Sequence, residues 1–356
     1  MKKIFENTVL SGGKIYEDYG CGLRDAESEY NSFGGEDRPL YLLRGRRKRG
    51  YKMTGKECNI LLFSITLCWA SSYIFIKNLP EELSSYAYLT LTCGLAVAVM
   101  AAVFVKKLKK CGKKTWIRGF FLSLILTANL LLEKKGISML EPANASFMAA
   151  LTIIMVPVLL LFLHKKLTPN HMVGAAIILT GLCVSNGFEP EDFCSPGTLF
   201  MLGGCVSSAG YTIAVDSYAK EEDPLLLCIV QMFFTALTGF ILWSFEDPGT
   251  FAGVPWSKEL LSNIFILAFF AKAYAYITLM FSQKYTDAVS VTVIASTEPI
   301  VTLVLSLLLP AAYGGGESFR VSSAVGALMI AAGAIVAGLS FQSRKKGRKS
   351  VEKEKV

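Results

Sequence analysis

The sequence predicts an all-α membrane protein of ten transmembrane helices arranged as two inverted five-helix repeats, and three observations carry that prediction. Composition is the first: 53% of the 356 residues are hydrophobic and only 18% are charged, with a mean hydropathy of +0.46. Apolar stretches this long and this many exceed what a water-soluble core can bury. The second is the number of windows of about twenty apolar residues, the length that crosses roughly 30 Å of hydrocarbon at 1.5 Å per residue. The third is a phrase that the chain states twice. It runs from Ala143 to Gly181 as ANASFMAALTIIMVPVLLLFLHKKLTPNHMVGAAIILTG. It returns from Ala288 to Gly333 as AVSVTVIASTEPIVTLVLSLLL, an inserted loop, then GESFRVSSAVGALMIAAG.

In order along the chain the windows fall near 58–77, 84–105, 116–133, 143–163, 170–187, 196–218, 224–244, 259–282, 287–310 and 320–341. Each must be helical, because lipid offers backbone groups no partner and the strand alternation of a membrane barrel is absent. The fourth and ninth carry a central proline, Pro157 and Pro299, and the fifth and tenth open on a Gly-Ala pair, Gly174-Ala175 and Gly326-Ala327. Five helices per half is an odd number, so the second copy enters the bilayer upside down, related to the first by a pseudo-two-fold axis in the membrane plane. The expected organisation is a cytoplasmic, disordered extension over 1–56, repeats over 57–189 and 195–342, and a basic cytoplasmic tail over 343–356. No apolar core follows the opening MKK, which argues against a signal peptide. Met53, just before the first span, offers an alternative translation start.

The net charge of +8 gains meaning once mapped onto the connections. Basic residues cluster before the first span (Arg44 to Lys56), between spans two and three (Lys106 to Lys114) and after the last (Arg344 to Lys349). Ten spans put all three clusters on one side, which the positive-inside rule makes cytoplasmic, so both termini are expected there. Glu81 and Glu82, and Glu189, Glu191 and Asp192, fall on the opposite side without basic company. Lys134 and Lys135 break the pattern, an objection softened by neighbouring Glu133. Basic flanks of this kind are ordinary topology determinants, and nothing resembles a nucleic-acid module.

Nine cysteines show no CxxC or paired spacing, and Cys194 alone is expected on the outer side. His164 and His171, in one short turn without nearby carboxylates, make a poor metal site. There is no P-loop, HExxH, GxSxG or strand-to-helix GxGxxG. The chain is therefore not expected to be an enzyme or to use a cofactor, and any transport must draw on a gradient.

Taken together, LCWASSYIFIK in span one, ANASF with MVP in span four, KKLTPNHMVGAAIILTG, Ser207-x-x-x-Tyr211 echoing Trp69-x-x-x-Tyr73, and the Glu298-Pro299 pair resemble the EamA-type members of the drug/metabolite transporter superfamily. The resemblance covers roughly Ile60 to Ser340. It implies a secondary carrier of small metabolites in the cell membrane, exporting through a central midplane cavity that opens alternately to each side. It also implies that the last helix of each half lies away from that cavity, with monomer and homodimer both open. The Gly-Glu pair usual before those helices is replaced by His164-Lys165 in the first half, and Gly316-Glu317 follows an inserted PAAYGGG loop in the second.

Ionisable groups buried in spans are expensive and point to function. Lys272 and Glu298 each lie about 13 positions from the Lys284–Tyr285 connection, hence about 20 Å deep on adjacent antiparallel helices. Two alternatives stand. Glu298 could bind a coupling proton or a substrate amine while Lys272 holds an anionic group, or the two could form a buried salt bridge that only positions spans eight and nine. Trp69 with Tyr73, and Lys272 with Tyr276, share faces at i, i+4, and the repeat sets Tyr211 opposite Tyr73. Asn129 and Gln231 are the buried amides expected to complete the lining, and Pro157 and Pro299 are candidate hinges, since each proline frees a carbonyl one turn back. A membrane sensor or scaffold without transport is the competing class.

Overall fold

Helix starts in this chain are set locally. The side chain of Ser84 caps the second span by accepting from the Ala87 N–H at 3.1 Å. Ser195 before Pro196 accepts from Thr198 at 3.2 Å. Asp223 before Pro224 accepts from Leu225 at 2.9 Å, and Ser257 accepts from Leu260 at 3.0 Å. A hydroxyl or carboxylate oxygen here satisfies an N–H that the helix cannot, and proline in the first turn forfeits no bond.

The computed structural model describes residues 55–162, 169–185, 195–246, 249, 253–254, 256–286, 288–310 and 318–336. The chain divides into Met1–Thr54 and Gly55–Val356, and the first unit lies outside the described residues. The second is all-helical among its described residues. The helices are α1 (Gly55–Lys77), α2 (Ser85–Leu108), α3 (Lys113–Met139), α4 (Pro142–Ala149), α5 (Thr152–Phe162), α6 (Pro169–Ser185), α7 (Pro196–Tyr218) and α8 (Pro224–Glu246). Then follow α9 (Lys258–Ile266), a π-helical segment (Leu267–Tyr274), α10 (Ala275–Gln283), α11 (Ala288–Ala295) and α12 (Glu298–Leu308). The last is α13 (Val321–Val336). Eight helices, counting α4–α5, α9–α10 and α11–α12 as one each, are long and apolar enough to cross a membrane, while Met172–Ser185 and Val321–Val336 are shorter apolar helices. The last two occupy the places of predicted spans five and ten.

Three departures from the sequence expectation bear on the site. Predicted span three ends at Glu133, but α3 continues to Met139. Beyond the apolar run the helix still packs on protein through Lys134, Gly136 and Ile137, which are buried, while Lys135 and Ser138 are exposed. The fourth and ninth spans are each broken in two, at Ala150–Leu151 and at Ser296–Thr297. Pro157 lies inside α5, whereas Pro299 lies in the first turn of α12. Spans eight and nine, expected side by side, are held apart by α1, which packs against α10, α11 and α12. The Ser64 and Tyr274 hydroxyls meet at 2.8 Å on one flank of α1, and Thr302 donates to the Ala70 carbonyl at 3.3 Å on the other.

The packing respects the duplication. α3 lies on α7 and α8, and its counterpart, the π segment with α10, lies on α1 and α2. α7 packs on α4 and α5 as α1 packs on α11 and α12. The small-residue faces of α6 and α13 meet each other within the chain. A Cβ added to Gly326 would stand 2.5 Å from the Gly181 carbonyl oxygen, and one on Gly333 would stand 2.7 Å from that of Gly174. Only residues without a side chain let two backbones approach this closely. Large apolar side chains including Phe63, Phe121, Phe240, Phe265 and Leu328 are exposed around the bundle, as lipid-facing positions should be.

Candidate functional site

The two breaks face one cavity. Its wall comes from α1, α3, α4, α5, α7, the π segment, α10, α11 and α12, and it encloses about 990 Å³ of empty space counted out to its open mouth. In repeat terms these are the first, third and fourth spans of each half, so the lining is itself pseudo-symmetric. None of the lining residues comes from α2, α6, α8 or α13.

Three acidic or basic side chains reach this wall: Glu133, Lys272 and Glu298. Lys272 is 4% exposed and Glu298 8%, so neither charge is dissolved in bulk water. Lys272 sits in the π-helical segment, the widened turn that often accompanies functional positions in a helix. Its ammonium lies over two rings, 5.5 Å from the centroid of Tyr88 and 5.8 Å from that of Tyr276. The carboxylate whose field it feels is Glu133. Among the described residues no direct ion pair joins Lys272 to either carboxylate, and α1 stands between its helix and that of Glu298.

Glu298 instead faces a like charge, Glu133, and the Tyr73 hydroxyl feels both carboxyls. Tyr73 is 2% exposed. The third span of each repeat thus contributes one ionisable group, of opposite sign, and the second repeat adds a further carboxyl at its break. Glu133 was the residue that sequence reasoning missed as a site. A charged residue at the edge of an apolar run is a legible signal, but taking that edge as the helix end assigned Glu133 to the interface.

The aromatic expectations converge. Trp69 and Tyr276 make an edge contact with centroids 5.7 Å apart, and Tyr276 and Tyr211 another at 5.9 Å, so one tyrosine bridges the two halves. Tyr73 and Tyr211 both line the cavity. Gln231 does not reach the wall. It is fully buried behind Tyr211, accepting from the phenol at 3.0 Å and donating to it at 2.8 Å. Asn129 lines the cavity while its Nδ2 donates to the Gly204 carbonyl at 3.0 Å, tying α3 to α7. Cys205, another lining residue, donates its thiol to the Met148 carbonyl at 3.1 Å, which holds the end of α4 at the first break. Ile153 and Ala295, the residues one turn before the two prolines, both belong to the wall.

Among the described residues no group of three His, Cys, Asp or Glu could hold a metal ion. His164 and the His171 side chain lie outside them, as do Cys194 and Gly316-Glu317. Asp216 pairs with Lys220 at 2.8 Å and is not among the residues of the cavity wall.

The sequence profile of the EamA-like transporter family matches residues 57–187 and again 195–339. The chain belongs to that family. It is accordingly a multi-span membrane protein of the drug/metabolite transporter type, and the EamA-like family consists of transporters rather than enzymes. Among curated proteins none matches. Among solved structures 28 chains match. One, titled only "Crystal structure of protein", aligns over 80% of this chain and 98% of its own at 20% identity and a TM-score of 0.60. At that identity the likeness shows the fold alone.

Proposed function

We propose that this EamA-like protein is a secondary carrier that exports small metabolites across the cell membrane, working by alternating access at the cavity between its two inverted repeats. The observation that supports it is the set of charges on the wall. Two carboxyls and one ammonium, all in positions that lipid would make costly, carry one unbalanced negative charge when ionised. A proton on Glu133 or Glu298, or the cationic group of a substrate, would balance it. Lys272 beside Glu133 is then available to an anionic group, while Trp69, Tyr211 and Tyr276 present an apolar and aromatic surface to the remainder of the solute. The breaks beside Ala150 and Ser296 leave carbonyls at the wall and divide each fourth span into two rigid pieces, so that Pro157 and Pro299 can serve as hinges between the two access states. Both termini on the cytoplasmic side complete the reading.

Comparison of metabolites in spent medium from overexpressing and deletion strains tests it. At least one solute should accumulate outside the overexpressing cells and decline in the deletion strain. Glu298→Gln and Lys272→Met, present in the membrane at normal levels, should each reduce that efflux at least about tenfold, the loss expected when a buried charge that contacts the solute is removed. Unchanged efflux in both variants would overturn the assignment of the cavity as the translocation site.

A further inference from the structure

The cavity runs up to one end of the bundle and stops short of the other. Ile76, next to the last residue of α1, and Met201, in the second turn of α7, both line it. Towards the opposite end, among the described residues, the wall goes no further than Thr212 on α7 and Leu279 on α10. Thr212 lies six positions before Tyr218, where α7 ends, which leaves about 9 Å of that helix beyond the wall. The connection that follows carries Asp223, paired with Lys107 at 3.4 Å, so this is the end that bears the basic Lys106–Lys114 connection. A small apolar cluster borders the cavity here: Val156 of α5, Ala209 of α7, and Ala288 and Val289 of α11, all buried, with Ile213 packed against them. Each helix passes from wall to cluster within a turn, from Ile153 to Val156, from Thr212 to Ile213 and from Thr292 to Val289. The cluster is a seal, and α5 and α11 are half-helices that the breaks at Ala150–Leu151 and Ser296–Thr297 divide from their partners.

Two polar side chains lie just past the closed edge of the cavity. Ser282 and Gln283, at the end of α10, are both fully buried. Gln283 stands one turn beyond Leu279, and its Nε2 donates to the Thr212 carbonyl at 3.1 Å, which fixes it beside the last of the wall on α7. The Ser282 Oγ and the Gln283 Oε1 have no hydrogen-bond partner. Of the four such buried atoms among the described residues, these two are neighbours in the chain and adjoin the cavity. A hydroxyl or amide oxygen withdrawn from water without a partner carries its full desolvation cost, which an apolar side chain in the same place would not. That cost disappears in a state that admits water to this end of the cavity.

We propose that Ser282 and Gln283 form a polar stage of the solute's path, covered in this structure and exposed when the seal between α5, α7 and α11 parts. This rests on the carrier reading above, in which the cavity opens to each end in turn. Full-length protein in a neutral detergent, where both ends of the bundle meet the reagent, is treated with a cationic, water-soluble thiol reagent, and modification is followed site by site by mass spectrometry. Cys228, fully buried on α8 and absent from the wall, is the internal reference. The thiol introduced by Ser282→Cys should react at least about tenfold faster than Cys228, since its exposure needs the seal to open and not the fold. Adding Val156→Ala or Val289→Ala, which thins the seal from α5 or from α11, should speed that thiol at least about threefold relative to Cys228. Fraying at the end of α10 would expose the thiol without any response to either seal variant, and that result would overturn the proposal. So would a rate no higher than that of Cys228. Efflux in the parent without this exposure sinks the path and leaves the carrier standing. Exposure that follows the seal in a protein that exports nothing sinks the carrier reading, and the solute path with it, and leaves only an opening seal.

Discussion

The electrostatic coupling of Lys272 to Glu133 rather than Glu298 can be tested without knowing any substrate. Lys272 is 4% exposed, and Lys272→Met would remove the cation whose field Glu133 feels. Removing one member of a fully buried pair costs about 3–5 kcal/mol. Glu133 is only partly buried, faces an open cavity and makes no direct ion pair with Lys272, so about 2–3 kcal/mol is the upper expectation. At roughly 2–4 °C per kcal/mol, the scaling for larger domains, the thermal midpoint should fall by about 5–10 °C. Glu133→Gln combined with Lys272→Met should recover much of that loss, giving a coupling of about 1–3 kcal/mol in a double-mutant cycle. The parallel cycle with Glu298→Gln should be additive within about 0.5 kcal/mol, since α1 separates the helices that carry those two residues. The assay is thermal unfolding of the purified protein in one detergent, with all variants measured together. Strong coupling to Glu298 and none to Glu133 would refute the geometry described for the cavity.

Other variants probe the scaffold. Gly326→Val should destabilise by about 1–3 kcal/mol or abolish folded expression, because a Cβ there would meet the Gly181 carbonyl oxygen at 2.5 Å. Gly94→Ala, where nothing lies within 4 Å, should leave the melting curve unchanged or raised. Tyr211→Phe should cost about 1–3 kcal/mol by orphaning the fully buried Gln231 amide, and adding Gln231→Leu should restore most of the midpoint. Arg118 pairs with Glu222 at 2.9 Å, their side chains 22% and 14% exposed, and with the more exposed Glu221. A cycle on Arg118 and Glu222 should give no more than about 1 kcal/mol, falling towards zero in 1 M salt; a coupling that salt leaves intact would contradict this.

The ion pairs around Arg118 show how sequence and structure divide the work. The basic Lys106–Lys114 connection was legible as a charge cluster, but that Lys107 meets Asp223 at 3.4 Å, and that Thr115 donates to Glu222 at 2.7 Å, joins residues more than a hundred positions apart. Lys272, Glu298, Trp69, Tyr73, Tyr211, Tyr276 and Asn129 were each nameable from the sequence as polar or aromatic residues within apolar spans, and all seven line one cavity. Gln231 was nameable by the same argument, yet it stands behind Tyr211. Depth along a helix is a matter of counting, whereas the direction a residue faces depends on which neighbour its helix meets.

What the sequence determined by itself follows from local chemistry. Apolar runs of membrane length must be helical in lipid, capping residues fix where those helices begin, and a phrase repeated at the same spacing implies a repeated unit. The tertiary structure decided the rest: that α1 separates Lys272 from Glu298, that α3 runs on past Glu133 and turns its carboxyl inward, and that the glycines of α6 and α13 face one another. Charge pairing depends on distances between helices, and those are set by packing among residues far apart in the chain, which no local pattern encodes.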